Sequence, residues 1–321
     1  MTDTAAGFIL HLQRLSTEDG PGLRTTVFYK GCPLACQWCH NPESISPRPQ
    51  VQWIAARCIG CASCIEACPV GALKLTESGL LRDRAICTVC GDCVGACPTG
   101  AMELLGRSVA ADELAKELFK DRAYFKKYGG GVTLSGGEPT LQPRFTHDLL
   151  AALKGAGLHT ALDTCALCSP AVLADLYPLA DLFLVDLKLI DPAEHKAWTG
   201  APLEPILANL RWLAGQIRNE DSQKKLWLRT PLIPGATCTR ENLAGISAFL
   251  KAELDDCIGR WEMCAFNNLC RDKYARLDME WRFQTAQLMT RTELDQALTW
   301  TVSGGFDPKR TFVTGAAKTE D

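Results

Sequence analysis

Apolar runs short enough for strands recur along this chain, and most are followed by segments whose apolar positions repeat at helical spacing. The strand candidates are "TTVFYKG" (25–31), "GVTLSGGEP" (131–139), "HTALDT" (159–164), "DLFLVDLK" (181–188), "KLWLRTPLIPG" (225–235), "RWEMCAFN" (260–267) and "RTFVTG" (310–315). Helices are predicted over 142–154, 170–179 and 240–253. In 203–217, Leu203, Ile206, Leu207, Leu210, Leu213 and Ile217 share one helical face. A further helical pattern, "SVAADELAKELFKDRAYFKKY", covers 108–128. This order predicts an α/β fold with a parallel sheet and helices outside it, and a partial or complete (β/α) barrel fits better than an open doubly wound sheet. Functional residues are then expected at the C-terminal ends of the strands, where the polar residues of "SGGEP", "DT" and "DLK" fall.

Composition narrows the partners. With 47% hydrophobic and 22% charged residues in 321, the chain reads as a soluble globular protein. A formal net charge of -3 without a basic run gives nothing to neutralise phosphates, so no nucleic acid is expected. No stretch approaches 18 uninterrupted apolar residues, and Asp3 stands where a leader would carry base, so no membrane and a cytoplasmic location are expected. Seventeen cysteines in such a chain point to metal ligation rather than disulfides.

Eleven of those cysteines lie between residues 32 and 97, and eight belong to a duplication. "CIGCASCIEACPVGAL" (58–73) repeats as "CTVCGDCVGACPTGAM" (87–102), each carrying CxxCxxCxxxCP. In bacterial-type ferredoxins this run gives three ligands to one 4Fe-4S cubane and sends the cysteine before proline to the other. On that logic Cys58, Cys61, Cys64 and Cys97 hold one cluster, and Cys87, Cys90, Cys93 and Cys68 hold a second. A pair of zinc sites is the alternative, and the doubled, crossed CP arrangement argues against it. The expected organisation is a first core part over 1–52, a ferredoxin-like 2x(4Fe-4S) insert over 53–106, and the remaining core over 107–321.

"GCPLACQWCHNPE" (31–43) differs in spacing and count. Cys32, Cys36 and Cys39 give CxxxCxxC with no fourth cysteine in the run, and three thiolates on a cubane leave one iron open for a Lewis-acid or inner-sphere role. CxxxCxxC with an aromatic before its third cysteine, here Trp38, resembles the signature of radical S-adenosylmethionine enzymes. The longer stretch "DGPGLRTTVFYKGCPLACQWCHNPE" (19–43) resembles the entry signature of glycyl radical enzyme activating enzymes, the pyruvate formate-lyase activating enzyme-like group, and the resemblance covers nearly the whole chain.

That resemblance implies a barrel of radical S-adenosylmethionine type. It implies an enzyme that reductively cleaves S-adenosylmethionine at the open cluster and uses the 5'-deoxyadenosyl radical to take a hydrogen from a glycine Cα of a partner glycyl radical enzyme. In "YGGGVTLSGGEPTLQP" (128–143), Gly136, Gly137 and Glu138 would meet the amino end of S-adenosylmethionine. In "LDTCA" and "VDLK", Asp163, Thr164 and Asp186 would surround a monovalent cation, and Lys188 would hold the methionyl carboxylate on the iron. Arg229 would lie near the methionyl group or the partner's backbone, and His40 would edge the adenine pocket. Where the family has a histidine in a form LPYHRLGxxKY, this chain reads "CAFNNLCRDKY" (264–274), which puts Asn267 in its place and Cys270 at the glycine. Asparagine can hydrogen-bond the ligand but cannot carry its charge. A flavodoxin or ferredoxin donor and a monomeric state are expected.

A radical S-adenosylmethionine enzyme acting on a small molecule or peptide, with the extra clusters as relays, is the alternative; "DGPGLRTT" argues against it. A pure electron-transfer ferredoxin would leave the barrel and the open iron unexplained. The remaining cysteines, Cys165, Cys168, Cys238, Cys257, Cys264 and Cys270, are expected to be incidental thiols, and His11, His147, His159 and His195 structural or exposed.

Overall fold

A computed structural model describes residues 5–77, 79–219 and 224–318; Asp3 lies outside the described residues. The strands are β1 (Ala6–Ser16), β2 (Arg24–Tyr29), β3 (Gln50–Trp53), β4 (Leu73–Thr76), β5 (Gly79–Arg82), β6 (Met102–Leu105), β7 (Arg107–Ala110), β8 (Gly131–Gly136), β9 (Thr160–Thr164), β10 (Leu182–Asp186), β11 (Lys225–Leu232), β12 (Ile258–Ala265) and β13 (Thr311–Thr314). One nine-stranded sheet runs in the order β13-β12-β11-β10-β9-β8-β2-β1-β7. From β2 through β8 to β13 every pairing is parallel and follows chain order, so the sheet is wound one way with no switch point. β13 pairs with β12 and closes on no other described strand, so the sheet is open and no complete barrel forms among the described strands.

Helices between the strands follow the apolar periodicity. Pro143–Gly155 buries Phe145, Leu149, Leu150 and Leu153. Glu204–Asn219 buries Ile206, Leu210 and Leu213, with Leu207 and Ile217 half-buried at the margin. The predicted helix over 170–179 breaks into Pro170–Leu176 and a 3₁₀ turn, Tyr177–Leu179, because Pro178 has no N–H to continue the ladder. Residues 108–110, read as helical, instead form β7, because β1 offers Ala6–Ile9 as an antiparallel partner; the helix starts at Ala111. β1 itself was not anticipated.

Residues 50–105 stand apart from this core. β3 and β6 pair antiparallel, β4 and β5 form a hairpin, and Val51, Leu73, Leu80, Cys93 and Met102 make a separate apolar cluster. Left-handed backbone recurs 29 residues apart at Gly60 and Val89, at Ala62 and Gly91, and at Gly71 and Gly100, so the sequence repeat is also a repeat of chain path.

Candidate functional site

The parallel strands point one way, so their C-terminal ends share one edge of the sheet. A cavity of about 320 Å³ opens there, lined by Cys32, Cys36 and Cys39 from the loop after β2, Gly136 and Gly137 at the end of β8, Asp163 and Thr164 on β9, Asp186 and Lys188 at the end of β10, and Arg229 on β11. Trp38 and His40 also line it. Burial pushes the Cys32 thiol up to about 12 and raises Cys36 and Cys39 as well. Three half-buried sulfurs on the wall of one cavity, held neutral until a metal takes their protons, are a donor set suited to an iron-sulfur cluster.

Gly136 is glycine for a reason internal to the fold. Its φ is +100°, and a Cβ there would stand 2.4 Å from the Tyr29 nitrogen. A Cβ on Gly137 would stand 2.2 Å from the Gly31 carbonyl oxygen. The end of β8 is thereby laid against the start of the cysteine loop, where Gly137 N–H donates to Tyr29 O (3.0 Å) and Glu138 N–H to Gly31 O (2.7 Å).

The Glu138 side chain turns away from the cavity. It is 1% exposed. Oε1 accepts from Thr140 N–H (3.0 Å), Thr140 Oγ1 (2.8 Å) and Thr164 Oγ1 (2.8 Å), and Oε2 accepts from Cys165 N–H (2.8 Å). Glu138 is thus a strut between the ends of β8 and β9, and Thr164 donates its hydroxyl to the strut.

Charged groups of both signs remain on the cavity wall. Asp163 Oδ2 accepts from Ser135 Oγ (2.6 Å) and faces Arg229 (3.4 Å), while its buried Oδ1 has no partner. Desolvation, with Asp186 adding repulsion, raises the Asp163 carboxyl to about 7 against the opposing pull of Arg229. An unpartnered buried carboxylate oxygen fits a cation or a cationic ligand group. Lys188 Nζ donates to Asp186 Oδ2 at 2.6 Å and is 11% exposed. Burial works against its charge, but Asp186 and the Cys36 sulfur more than offset it, so Lys188 stays protonated. Arg229 is held by Asp163, by Glu262 (3.5 Å) and by the Glu18 carbonyl (3.1 Å).

His40 Nε2 donates to the backbone carbonyl of Asn267 at 2.8 Å, and burial lowers its pKa, so the ring is neutral. The Asn267 side chain accepts from Leu269 N–H (3.2 Å) and is not on the cavity wall. Trp38 packs on Trp198 with ring centroids 5.9 Å apart.

Sequence reasoning passed over Asp19, Ser135, Cys165 and Cys264, which also line the cavity. Cys264 was legible by the strand period: it sits opposite Pro231, two positions beyond Arg229 and Glu262, on the same face of the sheet. Cys165 packs with Leu34 and Ala201 against Cys32 and Cys36. His195 is buried and its Nδ1–H donates to the Ala201 carbonyl (2.8 Å), which fixes the neighbouring loop.

In residues 50–105, Cys58, Cys61, Cys64 and Cys97 line one pocket with Trp53 and Met102. Cys68, Cys87, Cys90 and Cys93 line another with Val51 and Arg82. Among the described residues, no helix is long and apolar enough to cross a membrane.

The Radical SAM superfamily profile matches residues 26–238. The chain is 36% identical to the (2S)-3-sulfopropanediol dehydratase activating enzyme of Klebsiella oxytoca over 91% of this chain and 92% of that protein. It is 40% identical to the benzylsuccinate synthase activating enzyme of Thauera aromatica over 75% of this chain and 73% of that protein. A crystal structure of Streptococcus suis SuiB bound to precursor peptide SuiA shares the fold, with TM-score 0.53 and 13% identity over 92% of this chain and 49% of that one. The family uses S-adenosylmethionine and a 4Fe-4S cluster. The chain belongs to the radical SAM superfamily and, within it, to the glycyl radical enzyme activating enzymes.

Proposed function

We propose that the strand-end cavity binds S-adenosylmethionine beside a 4Fe-4S cluster held by Cys32, Cys36 and Cys39, and that its open side receives the glycine loop of one partner enzyme. The observation that carries this is the joint placement of those three half-buried thiols with Lys188, Arg229 and the half-satisfied Asp163 in one cavity. Bound by Cys32, Cys36 and Cys39, a 4Fe-4S cluster would supply, when reduced, the electron for cleaving S-adenosylmethionine to methionine and a 5'-deoxyadenosyl radical, which would take the glycine hydrogen. Lys188 fixes the ligand carboxylate as a buried point charge. Asp163 and Asp186, with Thr164 beside them, hold a monovalent cation or the ligand's ammonium group. Gly136 and Gly137 supply backbone polar groups at the wall, Glu138 keeps them there, and His40 edges the adenine site. Asn267 acts through its backbone carbonyl by positioning His40.

The same reading takes residues 1–52 and 107–321 as the core and 53–106 as a ferredoxin-like insert with two further 4Fe-4S clusters. Its support is the grouping of eight cysteines, four to each pocket, with one cysteine of each four contributed by the other repeat. A flavodoxin or ferredoxin reduces the insert, and the chain works as a monomer beside its partner. Anaerobically reconstituted protein given S-adenosylmethionine and dithionite should release 5'-deoxyadenosine and carry about twelve irons. No 5'-deoxyadenosine would overturn the activity; about four irons would remove the insert's clusters.

A further inference from the structure

The two pockets of the insert are not equivalent in their relation to the core. β3 and β6 leave the core at the Gln50–Leu105 pair and run outward to the Trp53–Met102 pair. Val51, one step out, lines the pocket of Cys68, Cys87, Cys90 and Cys93, whereas Trp53, two residues and roughly 7 Å further along the strand, lines the other. The first pocket is therefore inner and the second outer.

A second, independent contact marks the inner pocket. Arg82 lines it, and with a side chain only 9% exposed it reaches Asp278 at 3.5 Å. Arg84 reaches the same carboxylate at 3.3 Å. Asp278 sits in left-handed backbone just past the helix Arg271–Arg276. On that helix the Tyr274 hydroxyl donates to the Cys39 carbonyl at 3.0 Å, and Lys273 pairs with Glu43 at 2.7 Å and donates to the His40 carbonyl at 3.1 Å. The segment from Arg271 to Asp278 thus touches both the wall of the inner pocket and the loop of the CxxxCxxC cysteines. Both pockets have exposed lining, Ile59, Leu75 and Cys61 at the outer one and Val70 and Cys90 at the inner one, so it is the Arg82 contact that distinguishes the inner pocket.

We infer that electrons enter at the outer pocket, pass to the inner pocket and leave it for the CxxxCxxC loop, and that Arg82 is the positioning residue that sets the inner cluster against the core and favours its reduced form. The inference rests on the reading of the insert as a two-cluster module. Each transfer moves one electron: the donor is oxidised as the outer cluster is reduced, the outer as the inner is reduced, and the inner as the open cluster is reduced. A reduced cluster carries one more negative charge, so the buried guanidinium raises the inner cluster's potential and leaves the outer one nearly untouched.

The test uses the reconstituted full chain. EPR-monitored redox titration of Arg82→Gln should show a lower midpoint for one auxiliary cluster only, the one missing from Cys90→Ser protein, and Arg82→Lys should restore much of the shift. Protein reduced with dithionite, freed of excess reductant and mixed with S-adenosylmethionine gives the direction. In Cys90→Ser the outer cluster's reduced signal should persist, whereas in Cys61→Ser the inner cluster's signal should disappear as 5'-deoxyadenosine forms. A shift confined to the cluster missing from Cys61→Ser, an equal shift in both or in neither, or a stranded inner signal would overturn the order. About four irons in the unaltered protein would instead remove the two-cluster reading, and the order with it.

Discussion

His40 on the cysteine loop and Asn267 after β12 are joined by one hydrogen bond, 2.8 Å from the imidazole Nε2 to a backbone carbonyl. The histidine belongs to the loop and not to the "CAFNNLC" segment, and what the segment supplies is main chain. Asparagine at 267 therefore preserves the contact, and its side chain is free to close the turn onto Leu269 N–H.

Replacing Asn267 with Ala should then lower stability by about 1 kcal/mol through loss of that turn bond and leave S-adenosylmethionine affinity within about threefold. His40→Ala should weaken affinity more. Calorimetric titration of S-adenosylmethionine into both variants checks the difference; equal losses would mean that the Asn267 side chain meets the ligand.

Loss of the Glu138 carboxylate should have a large effect on stability. Glu138→Ala strands Cys165 N–H, Thr140 N–H and two hydroxyls in a buried place, so a loss of about 3 kcal/mol or more is expected, with poor iron retention. Denaturant unfolding of the anaerobic protein measures it. A change under about 1 kcal/mol would show that the strut is dispensable.

Gly136→Ala places a methyl group 2.4 Å from the Tyr29 nitrogen in backbone at φ +100°. The strain is expected to cost about 2–4 kcal/mol and to lower iron content at the CxxxCxxC loop, because β8 and that loop must part. Iron analysis alongside unfolding separates the local effect from global loss of fold.

Asp163 gives the protein without cluster or cosubstrate a pH signature. Its folded carboxyl titrates near 7, above the unfolded value of 3.8, so the folded state binds the extra proton between those limits. The Asp163 contribution to stability is then full below about pH 4 and is lost as pH rises toward 7. Thermal unfolding from pH 5 to 8 should fall more steeply in the wild type than in Asp163→Asn; parallel curves would contradict the shift.

The two kinds of cysteine motif should respond differently to loss of one sulfur. Cys36→Ala should abolish release of 5'-deoxyadenosine, while Cys61→Ala should mainly slow it. Equal and complete loss in folded protein would mean that the insert does more than relay electrons.

The elements were legible where their signal was local. The period-2 run of Lys225–Leu232 and the 3.6 period of Glu204–Asn219 gave their strand and helix directly. β1 and β7 were not legible, since Arg107–Ala110 is a strand only because Ala6–Ile9 pairs with it. Glu138 was legible as a strand-end polar residue, but its side chain's direction was not.

Sequence by itself determined the cysteine runs, the strand-end polar residues and the winding order, because each depends on neighbours within a few residues or on the chain's own succession of elements. Only tertiary structure decided that Glu138 braces β8 to β9, that His40 meets the Asn267 carbonyl, and that Arg82 ties the inner pocket to Asp278. Those partners lie 27, 227 and 196 residues apart. Packing of the whole sheet, and no local preference, brings such groups within hydrogen-bonding distance.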